Sequence, residues 1–162
     1  MKAKILIIML LCAVLVAFPK IAYPAERATE ADAVQMVETA GNLIEVMGDT
    51  ALAIISDPSR GCCDRERHLY VFVYSDDVVL LADPLRHDVI GVSFSRNPDD
   101  YGNEPASVNV SNMIVGKAMK EGSGWTDYPY VIPELGQISM KHTYGKLFRH
   151  AGKNYIVCCG VW

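Results

Sequence analysis

The sequence has no excess of positive charge, no motif of the common enzyme classes and no metal-ligand spacing. Its 15 lysines and arginines stand against 19 aspartates and glutamates, for a net charge of −4 at pH 7. This balance argues against nucleic acid or an anionic membrane surface as a partner. A nucleophile elbow, a phosphate-binding loop and a zincin helix are all missing, so the sequence predicts a protein that is not an enzyme. Nothing in it indicates a metal or another cofactor.

Long apolar runs are confined to the N-terminus, where residues 1–25 have the pattern of a secretory signal peptide. Lys2 and Lys4 provide the positive start, residues 5–18 are apolar throughout, and small residues follow. A run of this length falls short of the roughly 20 residues that a membrane-spanning helix needs. We therefore expect cleavage of this segment and export of residues 26–162 as a single domain, periplasmic or secreted, without further membrane insertion. An uncleaved N-terminal anchor is the alternative.

Cysteine is scarce, and four of the five cysteines form two adjacent pairs. In an oxidising compartment an even number of cysteines favours disulfide bonds, but spacing does not choose among the pairings. Neighbouring residues of a strand point to opposite faces, so only one bridge between the two pairs forms easily. Adjacent pairs also lack the spacing of zinc ligands. A structural disulfide is the first interpretation, with inert thiols or redox chemistry as alternatives. The candidates are Cys62, Cys63, Cys158 and Cys159.

Periodicity and turn residues predict a chain of mixed helix and strand. Behind the N-cap candidate Thr29, apolar residues recur at steps of three and four as far as Ile55, which indicates a long amphipathic helix with a break near residues 48–49. Strands rich in β-branched and aromatic residues follow, and the C-terminal part reads as a three-stranded meander. Helices segregated from strands indicate an α+β fold with an antiparallel sheet. The later elements are strands at 69–74 and 78–82, a helix at 110–121 and the meander within 122–162.

The order of these elements and several motifs resemble a known family. The most specific run is Gly124, Trp125 and Tyr128, followed by Lys141 and Tyr144 and by the closing strand YIVCCGVW. In this order the chain is similar to the single Cache domain, second subtype, of bacterial extracytoplasmic sensors. The resemblance spans about residues 30–162, which is nearly all of the sequence after the expected signal peptide.

The resemblance implies a PAS-like fold, in which a long N-terminal helix packs across a five-stranded antiparallel sheet. It also implies a pocket on the other face of the sheet, covered by the connection 83–105 and the short helix. Domains of this kind sense small extracellular molecules, often short carboxylic acids, ahead of a chemoreceptor or kinase module. The chain departs from the pattern at Asp83, where many relatives carry histidine, and it includes no signalling module.

A small carboxylate needs a cation or a set of N–H and O–H donors in a partly dry cleft. Lys141 is the best cation inside a predicted strand, although a sheet-edge lysine in solvent would look the same. Arg86 in the long connection is a second cation, with a solvated loop charge as the alternative reading. Strand alternation places Lys141 and Tyr144 on opposite faces, whereas the resemblance favours both as ligand contacts. The aromatic candidates for the pocket, each of which also suits a core position, are Tyr74, Trp125, Tyr128, Tyr130 and Tyr144.

These observations lead to one main hypothesis and two alternatives. The main hypothesis is an exported single Cache domain that reversibly binds a small solute and reports it to a separate membrane sensor kinase, chemoreceptor or transporter. The first alternative is a thiol-based redox or interaction protein on the same fold, with the paired cysteines as its working part. The second is a scaffolding subunit.

Overall fold

The computed structural model of the protein describes residues 27–95, 110–132 and 136–162. The expected signal peptide, much of the connection 83–105 and the turn around Pro133 lie outside the described residues. The helices are α1 (Glu30–Met47), α2 (Thr50–Ile55) and α3 (Val110–Glu121), with a short 3-10 helix at His87–Val89. The strands are β1 (Cys63–Asp64), β2 (Leu69–Tyr74), β3 (Leu80–Ala82), β4 (Ser123–Ile132), β5 (Gln137–His150) and β6 (Lys153–Val161).

Helix α1 begins and ends where the sequence predicts. The Thr29 side chain accepts a hydrogen bond from the Asp32 backbone N–H, and the Asp32 carboxylate accepts one from the Thr29 backbone, which completes a capping box. The helix ends at Gly48, whose φ of 56° lies in the region that glycine tolerates best. Helix α2 then starts at Thr50, so the predicted break is confirmed. No helix within the described ranges is long and apolar enough to cross a membrane.

The strands form one antiparallel sheet in the order β1-β2-β6-β5-β4, and β3 also pairs with β2. The predicted meander is confirmed, with strands longer than the apolar runs that indicated them. The five expected strands are all present, and the two-residue β1 adds a sixth at the edge. Because helices and strands are segregated and the sheet is antiparallel, the fold is α+β, as the sequence predicts.

Helix α1 and helix α3 pack on opposite faces of the sheet. Residues of α1 share one hydrophobic cluster with Val71 and Val73 of β2, while α3 shares the other with Tyr70, Phe72 and Tyr74. This is the strand alternation that LYVFVY requires, and it makes β2 buried on both faces. The rings of β2 therefore all point toward α3.

The close contact between α1 and the sheet explains why a glycine, Gly41, stands inside the helix, although glycine has a low helix propensity. A Cβ atom built on Gly41 would overlap the ring of Phe148 in β5. A glycine inside a helix costs roughly 1 kcal/mol relative to alanine. Here it lets the helix axis approach the sheet, so the packing of Phe148 offsets that cost.

The strand order corrects the prediction of a disulfide between the cysteine pairs. Cys62 and Cys159 flank Val71 from opposite sides, because the Cys62 carbonyl accepts from the Val71 N–H and Cys159 is the β6 partner of Val71. Two strand spacings separate them, about 9–10 Å, whereas a disulfide needs Cα atoms within about 7 Å. Cys63 and Cys158 also have β2 between them. All four cysteines are free thiols.

Candidate functional site

A cavity lies between the ring-bearing face of the sheet, helix α3 and the start of the connection after β3. The volume inside it that the centre of a water-sized molecule can occupy is ≈ 50 Å³. Most of the wall is aromatic or aliphatic, and the polar groups come from every element around it. The lining residues are Tyr70, Phe72, Tyr74, Leu80, Asp83, Arg86, Val89, Phe94, Val110, Ser111, Ile114, Tyr128, Tyr130 and Lys141. A small apolar chamber with a few converging polar groups has the character of a binding site for small molecules.

Lys141 brings a positive charge into this cavity. Its side chain is only 2% exposed, and Nζ donates a hydrogen bond of 2.9 Å to the hydroxyl of Tyr70. Four rings surround Nζ, with centroids 4.4 to 5.4 Å away, and their negative faces stabilise an ammonium group. The rings are those of Tyr70, Phe72, Tyr130 and Trp162. Lys141 is therefore not a sheet-edge lysine in solvent but a buried cation in an aromatic cage.

Three tyrosines contribute hydroxyl groups to the cavity wall in defined orientations. The hydroxyls of Tyr74 and Ser111 share a hydrogen bond of 3.0 Å, and those of Tyr128 and Thr143 share one of 2.9 Å. Burial raises the pKa of Tyr70 and of Tyr128 well above the ordinary tyrosine value. These two phenols therefore stay neutral at physiological pH and keep their capacity to donate.

Asp83 and Arg86 bring two further charges to the cavity from the connection after β3. Asp83 is 6% exposed, and its Oδ1 accepts hydrogen bonds from the backbone N–H groups of Leu85 and Arg86, at 2.7 and 3.0 Å. Burial raises the pKa of the Asp83 carboxyl, against the opposing effects of those N–H groups and of Lys141. Arg86 forms two parallel hydrogen bonds to Asp88, at 3.1 and 3.2 Å, which hold its guanidinium in place.

Five of the seven residues that the sequence proposes for ligand binding line this one cavity. They are Tyr74, Arg86, Tyr128, Tyr130 and Lys141. They come from three strands and a connection, so the fold brings together residues up to 67 positions apart, from Tyr74 to Lys141. The assignment of a ligand to them stays a prediction.

Trp125 and Tyr144 lie on the other face of the sheet, which corrects their placement in the pocket. They are partners across β4 and β5, and both pack against the cluster that contains α1. The indole of Trp125 stacks on His142 with a centroid distance of 4.3 Å, and the Nδ1 atom of His142 contacts the Asp127 carboxylate. Alternation is the physical reason, since Tyr128 and Lys141, also partners, face the cavity.

Sequence reasoning missed Asp83 as a member of the site and recorded it only as a departure from the resembled family. The usable signal was its position directly after the buried strand Leu80–Ala82 and before Pro84. An aspartate there closes a turn by accepting backbone N–H bonds, as Asp83 does. That turn leaves the carboxyl buried at the cavity wall.

The four thiols have the character of core residues. Burial raises the pKa of Cys62, Cys63, Cys158 and Cys159, the last to about 12. Because the thiolate is the reactive species, little of it is present at neutral pH. No observation on these residues favours the redox alternative. Within the described ranges, no group of three or more His, Cys, Asp or Glu side chains is arranged to hold a metal ion.

The fold is similar to that of solved sensor domains. No protein-family model matches the sequence, and no curated protein matches it. A structure titled "Structural basis for carboxylic acid recognition by a Cache chemosensory domain" shares 20% identity at a TM-score of 0.63, over 82% of this chain and 91% of that one. A "periplasmic sensor domain of chemotaxis protein" shares 18% at 0.59, over 82% and 88%. A methyl-accepting chemotaxis protein from Vibrio parahaemolyticus shares 13% at 0.60, over 82% and 86%.

These likenesses define the class of fold. The chain has the PAS-like α+β fold of Cache sensor domains, which the sequence predicts. Assignment to the second Cache subtype stays a prediction.

Proposed function

We propose that this protein is an extracytoplasmic sensor domain that reversibly binds a small carboxylate in the cavity around Lys141. Its bound state is read by a separate membrane protein, such as a sensor kinase, a chemoreceptor or a transporter. The observation that carries the proposal is the ammonium of Lys141, which is buried at the wall of a cavity and not at the surface. The N-terminal apolar run, typical of an exported protein, supports the extracytoplasmic location.

The cost of burying a charge is the first step of the argument. An ammonium group taken out of water loses several kcal/mol of hydration unless other groups replace it. The aromatic cage and the Tyr70 hydroxyl replace part of that hydration. A carboxylate in the cavity would add a charge-assisted hydrogen bond, which is roughly twice as strong as a neutral one.

The donors around the cavity suit a carboxylate as well. Arg86 approaches from the connection, and the hydroxyls of Tyr74 and Tyr128 approach from the strands. These donors come from different elements around the cavity, so together they suit the two oxygens of a carboxylate. A similar fold occurs in a Cache domain whose structure is described as explaining carboxylic acid recognition.

The size of the cavity limits the ligand. The space that the centre of a water-sized molecule can occupy is ≈ 50 Å³, so the cavity suits a ligand of a few heavy atoms. Acetate has four heavy atoms and propionate five. We propose carboxylic acids of two or three carbons as the ligand class.

A thermal-shift screen tests this proposal with acetate, propionate and lactate, each compared with its uncharged amide. We expect the acids to raise the melting temperature of the wild type and the amides to have little effect. Lys141→Met removes the charge at similar length and should abolish the shift. Lys146→Met is the matched control, because Lys146 lies on the same strand, faces α1 and pairs with Glu38.

Two results would refute the proposal. The first is a wild type that none of the acids stabilises. The second is equal stabilisation by acids and amides, which would show a site that does not recognise charge. The comparison of acid with amide needs no variant, so it stays informative if Lys141→Met does not fold.

A further inference from the structure

The hydrogen bond between Tyr128 and Thr143 leaves one hydroxyl proton of this buried pair without an acceptor. The two oxygens lie 2.9 Å apart. Each hydroxyl has one proton, and a single bond between two hydroxyls uses only one of the two. Within the described residues neither side chain makes a further hydrogen bond. The second proton therefore needs an acceptor that the protein itself does not supply.

The Thr143 hydroxyl is closed off from any such acceptor. Thr143 is 0% exposed, and it is not among the residues that line the cavity. On the side of β6, a Cβ atom built on Gly160 would come within 2.4 Å of the Thr143 Oγ1 atom, so this hydroxyl lies directly against the neighbouring strand. A molecule in the cavity cannot accept a proton from Thr143.

Tyr128, in contrast, belongs to the cavity wall. Burial raises the pKa of its phenol, and the phenols of Tyr130 and Tyr74 raise that pKa further. Both of these tyrosines line the same cavity, so the hydroxyl of Tyr128 lies on the side where the other phenols gather. A molecule in the cavity can accept a proton from Tyr128.

The direction of the bond follows from this difference. If Tyr128 donated to Thr143, the Thr143 proton would be left in a closed site, and folded proteins avoid buried donors without acceptors. If Thr143 donates to Tyr128, the spare proton is that of the phenol, at the cavity wall. A phenol is also the stronger donor of the two, so this arrangement reserves the stronger donor for the cavity.

We propose that Thr143 donates its hydroxyl proton to Tyr128 and so holds the phenol as a donor toward the cavity, which makes this side of the site specific for a ligand oxygen that accepts. Thr143 is then a positioning residue, because it acts on the ligand through Tyr128 and does not touch it. This inference rests on the proposed function.

Such a pair adds to the preference for an acid over its amide. A carboxylate has two oxygens that accept, whereas a primary amide has one oxygen that accepts and an NH₂ group that only donates. Thr143 occupies the acceptor side of the Tyr128 oxygen, so an NH₂ group placed there would meet another donor. The amide can satisfy Tyr128 only with its one oxygen, which is then lost to the other donors around the cavity.

Titration calorimetry with acetate and acetamide tests the role of Thr143. Thr143→Val removes the hydroxyl at nearly constant size. We expect the acetate affinity to fall about three- to tenfold, which is the effect of one hydrogen bond between neutral groups. The preference for acetate over acetamide should narrow, because the phenol oxygen is then free to accept from an NH₂ group. Thr143→Ser keeps a hydroxyl and should restore both values.

Two further variants separate this role from packing. Tyr128→Phe should lower the acetate affinity at least about tenfold, because a bond to a charged group is lost. Adding Thr143→Val to Tyr128→Phe should cost no more, whereas a packing role would weaken binding in both backgrounds. Thr126→Val is the matched control, because Thr126 is the β4 partner of Thr143 and is 8% exposed but does not line the cavity. It should leave the acetate affinity unchanged.

Neutron diffraction from a crystal of the wild type in heavy water gives the proton positions without any variant. We expect the deuterium atom of Thr143 between the two oxygens and that of Tyr128 directed into the cavity. A Tyr128 deuterium atom between the two oxygens would refute the inference. This measurement decides the question even if Thr143→Val does not fold.

The outcomes separate this inference from the proposed function. Acetate that binds Thr143→Val as tightly as the wild type, or more tightly, would refute the inference and leave the binding function intact. Tighter binding is the result expected if Tyr128 has to give up a bond to Thr143 before it binds the ligand. If acetate does not bind the wild type, the proposed function fails and the inference fails with it. A loss in Thr143→Val that Thr143→Ser restores, and that is absent in the Tyr128→Phe background, supports both.

Discussion

Gly160 of β6 lies directly beneath the side chain of Lys141. A Cβ atom at Gly160 would approach the Cε atom of Lys141 to 2.7 Å and would overlap the Thr143 hydroxyl. Lys141 therefore reaches the aromatic cage across a strand that has no side chain at this point. Strand β6 thus contributes to the site by leaving room at Gly160 for the side chain of Lys141.

Gly160→Ala should displace Lys141 from its cage. We expect the affinity for acetate to fall at least tenfold, with a loss of about 1–3 kcal/mol in the free energy of unfolding from overpacking. Calorimetry and denaturant titration measure the two effects. Gly124→Ala is the control, since a Cβ there would come within 2.7 Å of Cε of another lysine, Lys117, outside the cavity. An unchanged acetate affinity in Gly160→Ala would contradict the role assigned to Lys141.

Lys141 and Asp83 should be coupled in the unliganded protein. Lys141→Met alone leaves the buried carboxyl without its main compensating charge, so the variant should lose stability at neutral pH. In the Asp83→Asn background the same change should cost less. A double-mutant cycle measures the coupling, which we expect to be about 0.5–3 kcal/mol. Additive effects of the two changes would show that these charges do not act on each other.

The unliganded protein should become less stable as the pH rises through the titration of Asp83. The folded-state pKa of this carboxyl is raised, so between the unfolded and folded values the folded state binds more protons than the unfolded state. Stability therefore falls with rising pH in that window, and Asp83→Asn removes this contribution. Denaturant titrations at a series of pH values check it. If stability depends on pH in the same way in the wild type and in Asp83→Asn, burial does not raise the pKa of Asp83 as we infer.

Asp32 should make the protein less stable as the pH falls, which is the opposite of the effect expected for Asp83. Hydrogen bonds from Thr29 and Arg67 lower its pKa from 3.8 to about 2. Its contribution to stability is complete above the unfolded value and is lost as the pH falls toward 2. Asp32→Asn should therefore lower stability at neutral pH and flatten the acid limb of the curve. Equal acid limbs in the two proteins would refute this role for the capping box.

The paired cysteines should behave as buried thiols. In the native protein Cys158 and Cys159, both 0% exposed, should resist a thiol reagent, while the half-buried Cys63 reacts first. In denaturant without a reductant all four should react. Thiol counting on protein isolated under non-reducing conditions measures this. Four blocked cysteines that need reduction would overturn the assignment of free thiols.

The parts of the fold that could be predicted from the sequence are those that depend on residues close together in the chain. Helix α1 follows from the Thr29 cap and its apolar period, and the opposite placement of Tyr144 and Lys141 follows from strand alternation. The resemblance nevertheless favoured Tyr144 as a ligand contact together with Lys141, whereas strand alternation places it correctly on the other face.

The parts that could not be predicted depend on contacts between distant segments. Spacing along the chain does not reveal that β2 separates Cys62 from Cys159, because strand order is a property of the whole sheet. The burial of Asp83 depends on how the connection folds back over β2 and β5, which no local pattern encodes. The aromatic cage of Lys141 likewise draws on β2, β4 and the residue after β6.

The most direct test of the central claim is a crystal structure of the protein purified without added ligand and then soaked in propionate. We expect the carboxylate in the cavity, with one oxygen within about 2.7–2.9 Å of the Nζ atom of Lys141. Propionate bound elsewhere, or a cavity that stays without it at saturating concentration, would contradict the account.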